Sequence, residues 1–164
     1  MKIYGDVVSP FVRMCLVSAH EVGLAERVTL ERAAVKPMEV NAQVEKLSPI
    51  GRIPVLETDH GHAIYDSRVI MEYLAHVAGS DSFIPNDGVK RFRVLTLLAL
   101  AQGLAEAGVA LRYELAQRPA QAQWPDYAER LRLRIAAGLD DIESHWQDAL
   151  PGVRARTLAL PCAL

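Results

Sequence analysis

Cysteine is scarce in this chain, with Cys15 and Cys162 the two thiols in 164 residues. Two cysteines so far apart make no disulfide framework, and a reducing cytoplasm is the expected setting. An excess of one charge is missing too. The 18 Lys and Arg stand against 20 Asp and Glu, a net charge of -2. That balance gives no reason to expect nucleic acid or an anionic membrane as partner. Long apolar runs are lacking. The longest, residues 94–101, follows Arg91 and Arg93 and is too short to span a bilayer. No basic segment followed by an apolar stretch opens the chain, so a signal peptide is not expected. Metal-ligand spacing is absent among the five histidines. His60 and His62 flank Gly61 in a predicted turn, where surface histidines are the simpler reading.

What remains is ordinary globular composition, 51% apolar and 23% charged, enough to build one or two small domains. Lys2-Ile3-Tyr4-Gly5-Asp6 reads as a strand. It feeds a helix over residues 10–22, on which Phe11, Met14, Cys15, Val17, Ser18 and Val22 recur at helical spacing. Ser9 stands at the N-cap, Pro10 at the first helical position and Gly23 just past the end. Residues 28–31 suggest a strand and 37–47 a short helix. A loop with Pro49, Gly51 and Pro54 leads to a strand at 55–57. A turn at 59–61 precedes a return strand over 63–66. Ser67 is then expected to cap a helix with Val69, Ile70, Tyr73, Leu74 and Val77 on one face. The order βαβα followed by ββα predicts an α+β sandwich with a mixed sheet over residues 1–79.

Residues 80–87, with Pro85 and Asn86, read as a linker. A long helix is expected from Gly88 to about Gln117, with Gly103 and Gly108 each weakening it by roughly 1 kcal/mol against Ala and marking places for a kink. Pro119 and Pro125 break it. The series Tyr127, Leu131, Ile135, Leu139, Ile142, Trp146, Leu150 then keeps steps of four or three and predicts a second helix, giving a partial all-helical domain over 88–150. Residues 151–164 show no period.

Three pieces in order carry a resemblance: Ser9-Pro10-Phe11 with Arg13; Gly51-Arg52-Ile53-Pro54-Val55-Leu56; and Ile64-Tyr65-Asp66-Ser67 before Ile70-Met71-Glu72-Tyr73-Leu74. The chain resembles the cytosolic glutathione transferases, whose N-terminal domain is thioredoxin-like, over residues 1 to about 150. The resemblance implies glutathione as co-substrate, no metal, a small hydrophobic electrophile and a homodimer built through the helix after Ser67 and the long helix. It departs from the family at Pro151, where several further helices are normal, so a truncated C-terminal domain is expected, with apolar stripes left for self-association.

In that frame Ser9 takes the place of the family's serine or cysteine, donating its hydroxyl to the glutathione thiolate. Read from the residues alone, it is a helix cap. Tyr4, inside the strand, is assigned to packing, and Cys15 to the core as a small apolar residue. Pro54 matches the family's cis-proline, which turns the Ile53 backbone toward the cysteinyl part of the peptide; a trans proline at a strand start is the plain alternative. Asp66 and Ser67 open a helix whose N–H groups suit the γ-glutamyl carboxylate, with Asp66 answering the ammonium group. Arg52 and Lys36 are candidates for the glycyl carboxylate or simply solvated charges. Arg13 suits a salt bridge as well as a site role. Phe11, Leu111, Arg112 and Tyr113 are candidates for the second-substrate pocket. The competing functions are a non-catalytic protein-binding module, similar to the stringent starvation factors that contact RNA polymerase, and a glutathione-binding pseudoenzyme.

Overall fold

The computed structural model describes residues 1–81, 83–86 and 88–147. Leu150 and the aperiodic tail lie outside the described residues; the helix expected to reach Leu150 already stops at His145, with Trp146 at its C-cap.

Four short strands form one sheet: β1 (Lys2–Gly5), β2 (Thr29–Arg32), β3 (Val55–Glu57) and β4 (Ala63–Ile64), in spatial order β2-β1-β3-β4. β1 runs parallel to β2 and antiparallel to β3, with Ile3 opposite Leu30 on one side and Leu56 on the other. β3 pairs antiparallel with β4. Alternation along the strands divides the core. Ile3 and Leu56 join Val12, Met14 and Cys15 of α1 (Pro10–Glu21) and Ile70, Met71 and Leu74 of α3 (Ser67–Val77). Tyr4 and Val55 point the other way, onto Val44 of α2 (Ala42–Leu47). Gly5 has no side chain for a reason: a Cβ there would run into Val12 Cγ2, so glycine lets β1 and α1 meet.

The helical part is α4 (Gly88–Arg112) and α5 (Pro125–His145), packed on each other. Leu98, Ala101 and Ala105 of α4 complete the core formed by α1 and α3. Phe83 and Ile84, between α3 and α4, are buried in the same cluster. Gly138 lets α5 approach α4, since a Cβ there would lie 2.6 Å from Leu104 Cδ2.

Several expectations need correction. α2 starts at Ala42 rather than at residue 37, because Asn41 caps it: its Oδ1 accepts from the Gln43 and Val44 amides at 3.1 and 3.2 Å. α3 buries Ile70, Met71, Leu74 and Ala75, while Val69 is half exposed. Its cap is Asp66, whose Oδ1 accepts from the Arg68 amide at 2.8 Å; Ser67 is already the first helical residue. α4 runs unbroken through Gly103 and Gly108, with Leu97, Leu98, Ala101, Leu104 and Ala105 buried. It departs from α-helical winding only at Tyr113–Gln117, a π-helical turn. The span Gly88–Gln117 is long and apolar enough to cross a bilayer by length and composition, although no single uninterrupted run is. Its buried residues serve here as a core face between α1, α3 and α5.

Candidate functional site

The register decides where the site residues meet. Tyr4 lies opposite Val55, so the chain leaves β1 toward Ser9 at the same end of the sheet at which it enters β3 from Ile53 and Pro54. β4 runs antiparallel to β3 and therefore also exits at that end, into Asp66 and Ser67. Parallel β2 delivers Ala33 there, its amide bonded to the Gly5 carbonyl at 2.9 Å, and Lys36 soon after. Ser9, Ile53, Pro54, Asp66, Ser67 and Lys36 thus share one end of the sheet.

Ser9 caps α1. Its Oγ accepts from the Val12 amide at 3.5 Å, a long contact that leaves the hydroxyl proton available. The loop before it is tightly tied. Asp6 Oδ1 accepts from the Val8 amide at 3.0 Å, and the Asp6 carbonyl from the Ser9 amide at 2.9 Å. The Val8 amide and the Arg32 guanidinium, 3.3 Å away, hold the Asp6 carboxyl below the usual range. Arg13 turns back from α1 and donates Nη1 to the carbonyls of Val7 and Val8 at 3.2 and 3.1 Å.

The Ile53–Pro54 peptide bond is cis, as is Tyr65–Asp66. Ser67 is buried, yet its Oγ is engaged from α4: Gln102 Nε2 donates to it at 2.7 Å. The Ser67 carbonyl accepts from Cys15 Sγ at 3.6 Å, which ties α3 to α1 just below the site. Asp66 is exposed, with Arg68 Nε 3.5 Å away. Lys36 is exposed and paired with Glu39 at 2.7 Å, and Arg52 is exposed.

The proposed second-substrate residues do not form one wall. Leu111, Arg112 and Tyr113 are consecutive, and neighbours on a helix point about 100° apart. Arg112 continues the face of Ala101 and Ala105 that meets α1, whereas Leu111 continues the Leu100 and Leu104 face toward α5. Phe11 is half-buried against the main core.

Four features escaped sequence reasoning. Gln102 is one, since nothing local links it to Ser67. Val7 and Val8, 53% and 64% exposed beside Ser9, are another; two valines in a short strand-to-helix loop were the available signal. Tyr4, assigned to packing, is buried but also donates to Glu57 Oε2 at 2.7 Å. That bond, followed by burial and the charge of Glu57, pushes its phenol up to about 12. Glu114 is the fourth. It is buried in the π-helical turn, where Oε1 accepts from the Trp124 amide at 2.6 Å and Oε2 from Arg118 at 2.8 Å. The amide, then Arg118, hold its carboxyl below the usual range.

Two hollows lie elsewhere. One of ≈ 490 Å³ runs between α4 and α5, lined by Leu100, Leu104, Tyr127, Leu131 and Arg134 among others. Another of ≈ 560 Å³ lies by Glu72, His76, Asp81 and Arg91. No cluster of three or more potential metal ligands occurs among the described residues.

With this geometry in hand, comparison with known proteins is informative. Residues 8–77 match the sequence pattern of the glutathione S-transferase N-terminal domain. The chain is 33% identical over 167 residues to the uncharacterized GST-like protein YibF of Escherichia coli strain K12, covering 100% of this chain and 80% of that one. A glutathione transferase family member from Pseudomonas fluorescens Pf-5, solved with bound glutathione, superposes with a TM-score of 0.95 at 35% identity. That match covers 99% of this chain and 80% of the other. A glutathione S-transferase from Methylobacillus flagellatus, also with glutathione bound, gives 0.81 at 29% identity, covering 99% and 80%.

Proposed function

The chain belongs to the glutathione S-transferase family, and from that premise we propose that it binds glutathione at the end of the sheet and directs the thiolate at a small hydrophobic electrophile. One observation carries the reading. The Pseudomonas fluorescens relative holds glutathione on a fold that superposes on nearly this whole chain.

The chemistry required is modest. A free thiol has a pKa of roughly 8.5, so a few per cent is thiolate at pH 7. Lowering it by about two needs about 2.7 kcal/mol of preference for the charged form. A hydroxyl donating to a charged acceptor supplies roughly 1.5–3 kcal/mol, and a helix N-terminus about 0.3–1 kcal/mol. Ser9, with its proton available at the start of α1, offers both. In this proposal the Ile53 backbone before Pro54 pairs with the cysteinyl unit. The first turn of α3, with Ser67, takes the γ-glutamyl carboxylate, Asp66 answers the ammonium group, and Arg52 or Lys36 meets the glycyl carboxylate. The electrophile then approaches from the side of Phe11, Arg112 and the exposed Val7 and Val8. A cytoplasmic homodimer is proposed as well, supported by the exposed Val69 and Phe92 on α3 and α4.

Retention on immobilised glutathione, followed by conjugation of an aryl halide by wild type and Ser9→Ala, tests this. The expected result is retention of both proteins, with conjugation in Ser9→Ala reduced about 10- to 100-fold, the equivalent of the lost hydroxyl bond. An unretained wild type defeats the proposal. Retention without conjugation leaves a glutathione-binding protein that performs no transfer.

A further inference from the structure

We propose that Arg13 is a positioning residue for the Ser9 hydroxyl, acting through the backbone of the loop between β1 and α1. This inference rests on the proposed glutathione chemistry and adds a residue to it.

The loop is four residues long, Asp6 to Ser9, and its two outward side chains, Val7 and Val8, are exposed and give it no core packing. Ser9 is not fixed by its own cap bond, which is 3.5 Å long. Its placement comes from polar groups on either side. Asp6 holds the incoming half: its side chain takes the Val8 amide, its carbonyl takes the Ser9 amide, and Arg32 of β2 steadies the carboxylate. Arg13 holds the outgoing half. Its guanidinium takes the carbonyls of Val7 and Val8, and its own amide takes the Ser9 carbonyl at 3.1 Å. One residue therefore engages three of the loop's four carbonyls, the fourth, of Asp6, being taken by the Ser9 amide. Half-buried, it fastens them to the first turn of α1, the helix whose N-terminus Ser9 caps.

The demand for accuracy makes this clamp functional as well as structural. A hydroxyl stabilises a thiolate only when held within about 0.5 Å of its working position. Loss of the guanidinium leaves two carbonyls to solvent and lets the loop sample other positions, while the Ile53 and Ser67 ends stay as they are. Glutathione should still bind, and its thiol should ionise less readily.

The experiment is a pH titration of thiolate absorbance for glutathione bound to wild type and Arg13→Met, with glutathione affinity measured alongside. The midpoint of ionisation is expected to rise by about one in Arg13→Met, about a tenfold loss of thiolate stabilisation, with affinity changed less than threefold. Arg13→Lys, which still presents a cationic donor to both carbonyls, should restore most of the shift. If Arg13→Met does not fold, Arg13→Ala applies the same test. An unshifted midpoint in a variant that binds glutathione overturns the role of Arg13 and leaves the functional reading standing. A wild type that binds no glutathione removes both.

Discussion

Gln102→Leu removes the donor that α4 offers to the Ser67 hydroxyl. Both partners are nearly inaccessible, Gln102 at 5% and Ser67 at 4%, and the bond is short at 2.7 Å. A satisfied hydrogen bond contributes about 0.5–1.5 kcal/mol net, but stranding a buried partner costs about 1–3 kcal/mol. For a chain of this size each kcal/mol moves the melting temperature by about 2–4 °C. Gln102→Leu should therefore lower it by about 2–12 °C. Ser67→Ala strands the Gln102 amide and should cost a similar amount. The double variant leaves neither group stranded and should recover much of the loss, since apolar replacement of both partners is nearly neutral. A double-mutant cycle by urea unfolding should thus give a coupling of about 0.5–3 kcal/mol. Strict additivity would refute the bond as a contributor. Glutathione affinity supplies a second readout. Gln102 occupies a lone pair of Ser67 Oγ and leaves the serine proton for an incoming carboxylate. Without it the hydroxyl can turn to a backbone carbonyl, and several-fold weaker binding is expected for Gln102→Leu.

Three further outcomes follow from the same structure. In Tyr4→Phe the bond to Glu57 is lost, at about 1.5 kcal/mol, the low end for a charged acceptor. The folded phenol stands at about 12, above its ordinary 10.0. The bond's contribution is therefore complete below about pH 10 and is lost as pH climbs toward 12. Melting curves at pH 8 and pH 11 should converge for Tyr4→Phe relative to wild type. Glu114→Gln addresses the acid side. The folded carboxyl lies below its ordinary 4.5. Its stabilising effect is thus present above that value and is lost as pH falls through the folded one. Acid unfolding followed by circular dichroism should be shallower in Glu114→Gln, from a lower starting stability; an unchanged profile would exclude a role for the carboxylate. Gly5→Ala pushes a Cβ into Val12 and should cost about 1–3 kcal/mol, measured by urea unfolding. Because Val12 sits in the first turn of α1, this variant should also lose conjugation out of proportion to its glutathione affinity.

Much of the fold was legible because local rules and tertiary packing agree. Ser9, Pro10 and Gly23 bracket α1 as capping chemistry requires, and the three- and four-residue steps from Tyr127 onward trace α5. The failures are instructive. Asn41 was a legible cap for α2, but a proline at 37, the residue type favoured at a first helical position, drew the start too early. For α3 the periodicity was right and the face was rotated: Val69 and Met71 are equally apolar, and only packing against α1 and α4 decides that Met71 goes inside. Gly103 and Gly108 weaken α4 by propensity, yet the helix runs unbroken through both, with neighbouring leucines and alanines buried. The residues of the candidate site could be named from motifs, yet their support could not. Gln102 lies 35 positions from Ser67, and the Arg13 guanidinium satisfies backbone carbonyls, which no side-chain pattern announces.

The contact between Cys15 and the Ser67 carbonyl looks minor, a thiol donating at 3.6 Å. It nevertheless joins the two helices that, in the proposed function, hold the central thiol and the γ-glutamyl end of one tripeptide. With α1 carrying the proposed thiol anchor and α3 the proposed carboxylate anchor, the interior packing of α1 on α3 would act as a gauge of ligand length. A peptide one residue longer between its thiol and its α-carboxylate would have to stretch that gauge, and the fully buried Cys15, Met14, Ile70 and Met71 leave no slack for it. Selectivity for the span of glutathione would thus be written in the hydrophobic core, well away from any atom that touches the ligand.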